Sequence, residues 1–119
     1  MAHPEAAEVL WVVCLCAQWC GACREYRPLF AAVERAHPEL RFAWVDIEDH
    51  ADLADDFDVE TFPTILVAGA DGTRFIGPLL PHAETLSRML SALQAARRPE
   101  PHVLKLLAAV TGAAERFAV

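Results

Sequence analysis

The sequence predicts an α/β fold with three layers, in which helices pack against a mixed four-stranded sheet. Residues 8–16 form a near-continuous apolar run, which is typical of a strand buried on both faces. A helical stretch and another strand follow, and this β-α-β order favours parallel strands joined by a right-handed crossover. Later in the chain, Asp71 and Gly72 supply the positive φ angles of a tight hairpin. The last two strands should therefore be antiparallel, which makes the sheet mixed.

Short apolar segments predict the other strands. Residues 40–47 alternate well enough for the second strand, and residues 63–68 form the third. Residues 73–77 complete the hairpin as the fourth strand, and residues 50–57 form a short helix or turn. The predicted order is β-α-β-(α)-β-β-α, followed by one more helix.

Three longer helices are expected from apolar residues at helical spacing. The first covers residues 21–37, where Pro28 should kink the helix and Pro38 should end it. Its apolar stripe comprises Tyr26, Leu29, Phe30 and Val33. The second helix is predicted over residues 82–97 and the last over residues 102–117.

Composition limits the class of protein and its partners. A chain of 119 residues, 55% of them hydrophobic, is long enough for one domain with a real core. We expect that domain over residues 1–98, with residues 99–119 as a helical extension that packs on it or extends it. The formal net charge of −7 argues against nucleic acid and anionic membranes as partners. No apolar run approaches the 18 residues of a membrane span.

The start of the chain predicts the compartment. Residues 1–8 should be a short, poorly ordered lead, and the N-terminus lacks the basic region and cleavage site of a signal peptide. A cytoplasmic location follows, where structural disulfides are rare and clustered cysteines are more often catalytic or metal-binding.

All four cysteines lie within ten residues of the sequence. Cys20 and Cys23 stand where the first strand ends and the first helix begins. A helix N-terminus stabilises a thiolate, so Cys20 is the predicted nucleophile. Cys23 is one helical turn away and is the predicted resolving thiol, which attacks a mixed disulfide formed at Cys20. A C-x-x-C motif beside a β-α-β pattern indicates thiol–disulfide exchange.

The segment WCGAC at residues 19–23 resembles the WCGPC signature of the thioredoxin family. Pro28 matches the proline that kinks the active-site helix of that family, and TFPT at residues 61–64 resembles its cis-proline loop. Gly77 matches a glycine that the family keeps beside the substrate groove. The resemblance covers residues 8–97.

The resemblance implies a thioredoxin-like fold and a thiol–disulfide oxidoreductase that needs no bound cofactor and no metal. Protein or small-molecule disulfides would be the substrates, and an upstream reductase would recharge the thiol pair. Pro63 would be cis, and the backbone of Phe62 would pair with an extended substrate peptide. The predicted groove residues are Trp19, Gly21, Ala22, Phe62, Pro63 and Gly77.

The sequence departs from the family in several places. Cys14 stands where the family usually has a buried aspartate, and Trp44 stands where it often has a lysine. The proton relay that the resemblance would imply is therefore missing. Ala22 replaces the proline between the two cysteines. The first strand and first helix of the family have no counterpart, so the C-terminal helix is expected either to cover the exposed sheet or to form a homodimer contact.

Several alternatives stay open at this point. Cys14 is expected to pack in the core, whereas Cys16, nearer the strand end, could pack there or have a redox or regulatory role. Zinc bound to all four thiols is disfavoured, because the cysteines are crowded and form a single C-x-x-C pair. The acidic residues between 46 and 60 predict a solvated face. The fold could also serve as a binding module or assembly chaperone that grips extended peptides with little turnover.

Overall fold

The computed structural model describes residues 9–119, and the predicted lead at residues 1–8 lies outside the described residues. In this described part of the chain, four strands form the predicted mixed sheet, in the order β2-β1-β3-β4. They are β1 (Trp11–Cys16), β2 (Arg41–Asp46), β3 (Thr64–Gly69) and β4 (Gly72–Pro78). Strand β1 runs parallel to β2 and antiparallel to β3, and β3 pairs with β4 in an antiparallel hairpin. The predicted α/β fold class is confirmed.

Within residues 9–119, four helices cover the sheet. They are α1 (Gly21–Ala36), the short α2 (Ala51–Ala54), α3 (Ala83–Ser91) and α4 (Pro101–Gly112). Two 3-10 turns follow α2 and α4, over Asp55–Phe57 and Ala114–Phe117.

Two predicted helix boundaries were wrong. The helix expected over residues 82–97 ends at Ser91, and the chain then becomes extended. The backbone N–H of Arg97 donates to the carbonyl oxygen of Thr73 over 2.8 Å, so a tertiary contact replaces the last helical turns. The final helix begins at Pro101, within one residue of the predicted start, and proline fits this first helical position because it has no N–H to satisfy there. It ends at Gly112 instead of residue 117, and a 3-10 turn covers Ala114–Phe117.

The predicted hairpin forms, but of its two expected turn residues only Gly72 has a positive φ angle, and Asp71 does not. Gly72 has a φ of +129°, which side-chain-bearing residues rarely adopt. A Cβ at this position would also clash with the carbonyl oxygen of Arg97. Gly72 therefore lets the segment after α3 lie directly against the start of β4.

Strand β1 divides its side chains between two cores. Trp11, Val13 and Leu15 point to one side of the sheet, where α4 packs. The buried residues that α4 and its following turn contribute are Val103, Leu106, Leu107, Val110 and Phe117. We call this side the α4 face.

Among residues 9–119, no helix is long and apolar enough to cross a membrane.

The opposite side of the sheet is covered by α1 and α3, and we call it the α1 face. Its core from β1 consists of Val12, Cys14 and Cys16. The buried residues facing them from α1 are Cys23, Tyr26, Phe30 and Val33. Three of the four cysteines are thus buried in this one core, next to the N-terminus of α1.

Candidate active site

Cys20 occupies the N-cap position of α1, as the sequence predicts for the nucleophile. Its backbone is extended, with φ −83° and ψ 121°, and its side chain is partly exposed. Its carbonyl oxygen accepts a hydrogen bond from the N–H of Arg24 over 3.2 Å, which begins the helical ladder. The N–H groups of the first turn have no partner within the helix, so they present partial positive charge beside Cys20.

Cys23 lies in the first turn of α1, but its bonding partner in the structure is Cys16. The sequence predicted Cys20 as the partner. The Cα atoms of Cys16 and Cys23 are 5.9 Å apart, which is an ordinary spacing for a disulfide. The side chains of Cys16 and Cys23 are 0% and 1% exposed. Cys20 and Cys14 are both free thiols.

The loop before Cys20 is fixed by polar contacts that the sequence prediction missed. The carboxylate of Asp46, at the end of β2, accepts a hydrogen bond from the N–H of Gln18 over 2.7 Å. Arg24 donates from its guanidinium to the carbonyl oxygen of Gln18 over 2.9 Å. A signal was present, because the carboxyl ends of neighbouring parallel strands meet at one edge of the sheet, and Asp46 pairs in register with Cys16. Asp46 was instead assigned only to a solvated acidic face.

The predicted proline loop lies against the cysteine loop. The peptide bond between Phe62 and Pro63 is cis, in agreement with the resemblance. The rings of Trp19 and Phe62 meet edge to face, with centroids 5.6 Å apart. Trp19 remains 61% exposed, so this pair forms a surface rather than a core contact. Gly77 lies on β4 opposite Ile65, and a Cβ there would meet only the ring of Phe75.

Gly21 and Ala22 are both exposed in the first turn of α1, directly beside Cys20. The predicted groove residues therefore fall into two groups. One group lies around the N-terminus of α1 and includes Trp19, and the other comprises the Phe62–Pro63 loop and the neighbouring strand β4. The aromatic pair is the contact that joins them.

The core behind the cysteines holds two weak acids in their neutral forms. Burial raises the pKa of the Cys14 thiol well above its usual range, and the nearby Arg27 opposes this only in part. Burial also raises the pKa of the Tyr26 hydroxyl, with a smaller contribution from Cys14. Within residues 9–119, the Tyr26 hydroxyl oxygen has no hydrogen-bond partner. A neutral thiol and a neutral phenol thus occupy the region where the family usually has a buried carboxylate.

Trp44, which replaces the lysine of the family, is covered by Arg27. The guanidinium carbon lies 5.1 Å from the centre of the Trp44 ring, and the same side chain donates to the carbonyl oxygen of Ala118 over 3.0 Å. The C-terminus is thereby tied to the outer surface of α1. In the part of the chain that the structure describes, no group of three or more His, Cys, Asp or Glu residues is arranged to hold a metal ion.

Comparison with known proteins gives one consistent family. The family model described as thioredoxin matches residues 4–90, which leaves α4 outside the match. A thioredoxin H-type from Picea mariana is 35% identical over 80 residues, which cover 67% of this chain and 63% of that protein. The mitochondrial thioredoxin of Mus musculus is 45% identical over 51 residues, which cover 42% of this chain and 31% of that protein. The chain thus spans less than two thirds of the length of either relative.

A solved structure gives the same result at the level of the fold. The thioredoxin of Fasciola hepatica superimposes with a TM-score of 0.67 and 27% sequence identity, over 76% of this chain and 86% of that one. The family model covers most of the sequence, and the structure places the cysteine motif at the N-terminus of a helix that faces a cis-proline loop. The chain therefore belongs to the thioredoxin family.

Proposed function

We propose that the protein is a thiol–disulfide oxidoreductase in which Cys20 is the nucleophile and Cys23 the resolving thiol. The observation that carries this proposal is the position of Cys20. It is a partly exposed free thiol at the N-terminus of a 16-residue helix, beside an exposed aromatic pair. The unpaired N–H groups of the helix N-terminus lie beside the sulfur at which negative charge develops during exchange.

The reaction has two exchange steps. The Cys20 thiolate attacks one sulfur of a substrate disulfide, so that a Cys20–substrate disulfide forms and the other substrate sulfur leaves as a thiolate. The Cys23 thiolate then attacks the sulfur of Cys20 and releases the second substrate sulfur. The two protein thiols supply two electrons, and their two protons pass to the two substrate thiolates. Neither step needs a cofactor.

The groove next to Cys20 suits an extended peptide. No backbone hydrogen bond within residues 9–119 occupies the N–H or carbonyl group of Phe62, so both are free to pair with a substrate strand. Trp19 would form the rim, while Gly21 and Ala22 leave room on the helix side and Gly77 leaves room on the strand side. Protein disulfides in unfolded or loop segments are therefore the favoured substrates, with small disulfides also admitted.

The proposed setting follows from this chemistry. A dithiol that reduces substrates must be recharged by an upstream reductase, and a cytoplasmic location would provide a reducing environment. The net charge of −7 supports the expectation that neither nucleic acid nor an anionic membrane is a partner. Cell fractionation tests the compartment.

Helix α4 bears on the domain boundary and the oligomeric state. We propose that residues 99–119 are an extension that completes the domain formed by residues 1–98, because the apolar side of α4 is buried against the sheet. That use of its apolar side supports the covering role over a homodimer contact. Size-exclusion chromatography with light scattering tests the oligomeric state.

The test of the activity is Cys20→Ser in a dithiothreitol-driven reduction of insulin. We expect the variant to fall to the rate measured without protein, because no other thiol is both exposed and beside the groove. Cys14→Ala is the matched control and should remain active, since Cys14 is buried outside the pair. Wild-type activity in Cys20→Ser would contradict the assignment. The alternative of a peptide-gripping adaptor is not favoured, because family membership and a retained cysteine pair both indicate exchange chemistry.

A further inference from the structure

Two cysteines, Cys16 and Cys20, have the sulfur of Cys23 as a possible bonding partner. Cys23 is bonded to Cys16 across the gap between β1 and α1, and it is also one helical turn from Cys20. Cys16 and Cys20 therefore approach Cys23 from two directions, the first from the core and the second from the surface. The exchange chemistry described above uses only Cys20 and Cys23, so the bond to Cys16 needs a separate explanation.

We propose that Cys16 is a third redox residue, which takes over the bond to Cys23 and returns Cys20 to the free thiol. This proposal rests on the proposed exchange chemistry at Cys20. After substrate release, the oxidised protein holds a Cys20–Cys23 disulfide. The Cys16 thiolate attacks the sulfur of Cys23, a Cys16–Cys23 bond forms, and Cys20 leaves as a thiolate that takes up the proton lost by Cys16. The step moves one disulfide within the chain and needs no outside oxidant or reductant.

Burial makes the two disulfides chemically different. Cys16 and Cys23 are 0% and 1% exposed, so an outside thiol has no approach to either sulfur once they are bonded to each other. A Cys20–Cys23 disulfide, by contrast, keeps the partly exposed sulfur of Cys20 within reach. The exposed thiol is then the only route for electrons in either direction. A reductant must wait for Cys20 to attack Cys23 and re-form the outer disulfide.

The position of Cys16 explains why it, and not Cys14, has this role. Both side chains point to the α1 face from the same strand. Cys16 is the last residue of β1, level with the first turn of α1, whereas Cys14 lies two residues deeper and remains a free thiol. Its raised pKa also keeps Cys14 in the unreactive thiol form.

Two properties of the oxidised protein follow from the proposal. It keeps one thiol, Cys20, that reacts in the folded state, and its disulfide is shielded from glutathione. A protein with only the Cys20–Cys23 disulfide would have no reactive thiol in the folded state, because its free thiols, Cys14 and Cys16, are buried. Its disulfide would also be open to glutathione through the partly exposed Cys20. The oxidised form would thus remain able to bind a second disulfide through Cys20.

The decisive experiment maps the disulfide of wild-type protein oxidised with oxidised glutathione. Free thiols are blocked with N-ethylmaleimide in denaturant, and the protein is then digested with chymotrypsin. Cleavage after Trp19 separates Cys16 from the peptide that holds Cys20 and Cys23. We expect the peptide of Cys16 to be linked to that of Cys23, with the maleimide on Cys20. An intrapeptide Cys20–Cys23 bond with the maleimide on Cys16 would overturn the proposal.

A matched pair of variants sharpens the result. In Cys16→Ala, the oxidised protein should change to the Cys20–Cys23 bond, and its maleimide labelling in the folded state should fall from one thiol per chain to none. In Cys14→Ala, which removes the neighbouring thiol of the same strand and face, the map and the labelling should match wild type. Equal folded-state labelling in Cys16→Ala and wild type would contradict the relay.

The proposed function and the relay fail in different ways. The map uses glutathione and no protein substrate, so it reports the bonding partner of Cys23 whether or not the protein reduces insulin. Active protein that maps only as Cys20–Cys23 overturns the relay and leaves the proposed function standing. Inactive protein that maps as Cys16–Cys23 contradicts the proposed reductase activity and leaves the bond between Cys16 and Cys23 standing. The wild-type map decides the relay even if a variant fails to fold.

Discussion

The two faces of the central sheet differ in what they bury. The α4 face buries aliphatic and aromatic side chains, with no thiol and no other titratable group among its buried core residues. The α1 face, built from the alternate residues of the same strands, buries three cysteines and a tyrosine. Strand β1 supplies both, because successive side chains point to opposite sides. One face therefore provides packing alone, while the other combines packing with the thiols of the proposed exchange chemistry.

The largest expected effect tests whether the α4 face is a structural necessity. Truncation after Arg98 removes five buried side chains, and each contributes about 1.5–3 kcal/mol when fully buried. The summed loss is on the order of 10 kcal/mol, comparable to the whole stability of a small domain. We expect the truncated protein to be unfolded by circular dichroism. An unchanged melting temperature would mean that α4 does not contribute to the stability of the core.

Two point variants on α4 provide the controls for that truncation. Leu106 is fully buried, so Leu106→Ala should lower the free energy of unfolding by about 2–5 kcal/mol in denaturant titrations. Leu104 is 42% exposed on the same helix, and Leu104→Ala should lower it by only about 1 kcal/mol. Equal effects at the two positions would mean that α4 does not pack through its Leu106 side.

A smaller effect distinguishes the two faces by how the free energy of unfolding depends on pH. Because burial raises the pKa of Cys14, the folded protein keeps a proton that the unfolded chain loses as the pH rises through about 9. Stability from this thiol is fully present below that pH and falls above it, with a slope that approaches about 1.4 kcal/mol per pH unit. Cys14→Ala should flatten the decline between pH 9 and 10, as measured by urea unfolding.

The control for the pH prediction is Val12→Ala on the same strand and face. Val12 is fully buried but does not titrate, so this variant should lose stability at every pH and keep the wild-type decline. If Cys14→Ala shows the same slope as Val12→Ala, the alkaline loss of stability comes from another group.

The smallest effect concerns the surface of the α1 face. Trp19 touches Phe62 edge to face but remains largely exposed, so Trp19→Ala should lower the melting temperature only slightly. Its exposed face would contact the substrate in the proposed groove, and the loss of a substrate contact worth about 0.5–1.5 kcal/mol corresponds to a rise in KM for a protein disulfide of about 2- to 10-fold. Leu104→Ala, on the other face, should leave KM unchanged. A wild-type KM in Trp19→Ala would mean that Trp19 does not contact the substrate.

Local patterns in the sequence predicted most of the fold. The buried first strand, the hairpin at Asp71 and Gly72, and the N-terminus of α1 at Cys20 all depend on neighbouring residues, and all lie where expected. The early end of α3 at Ser91 was missed because the contact between Arg97 and Thr73 joins residues far apart in the chain. The role of Asp46 was missed for the same reason, since its partner Gln18 lies on another loop.

The sequence by itself determined the fold class and the placement of a C-x-x-C motif at a helix N-terminus, because spacing and turn residues act over a few positions. Its WCGAC and TFPT segments carried the resemblance to the family. Only the tertiary structure decided which cysteine bonds to Cys23. That choice depends on the distance between β1 and α1 and on which sulfur atoms water can reach, and neither follows from spacing along the chain. Cys20 is nearer to Cys23 in sequence, but the packing of the first helical turn on the strand end places Cys16 against it.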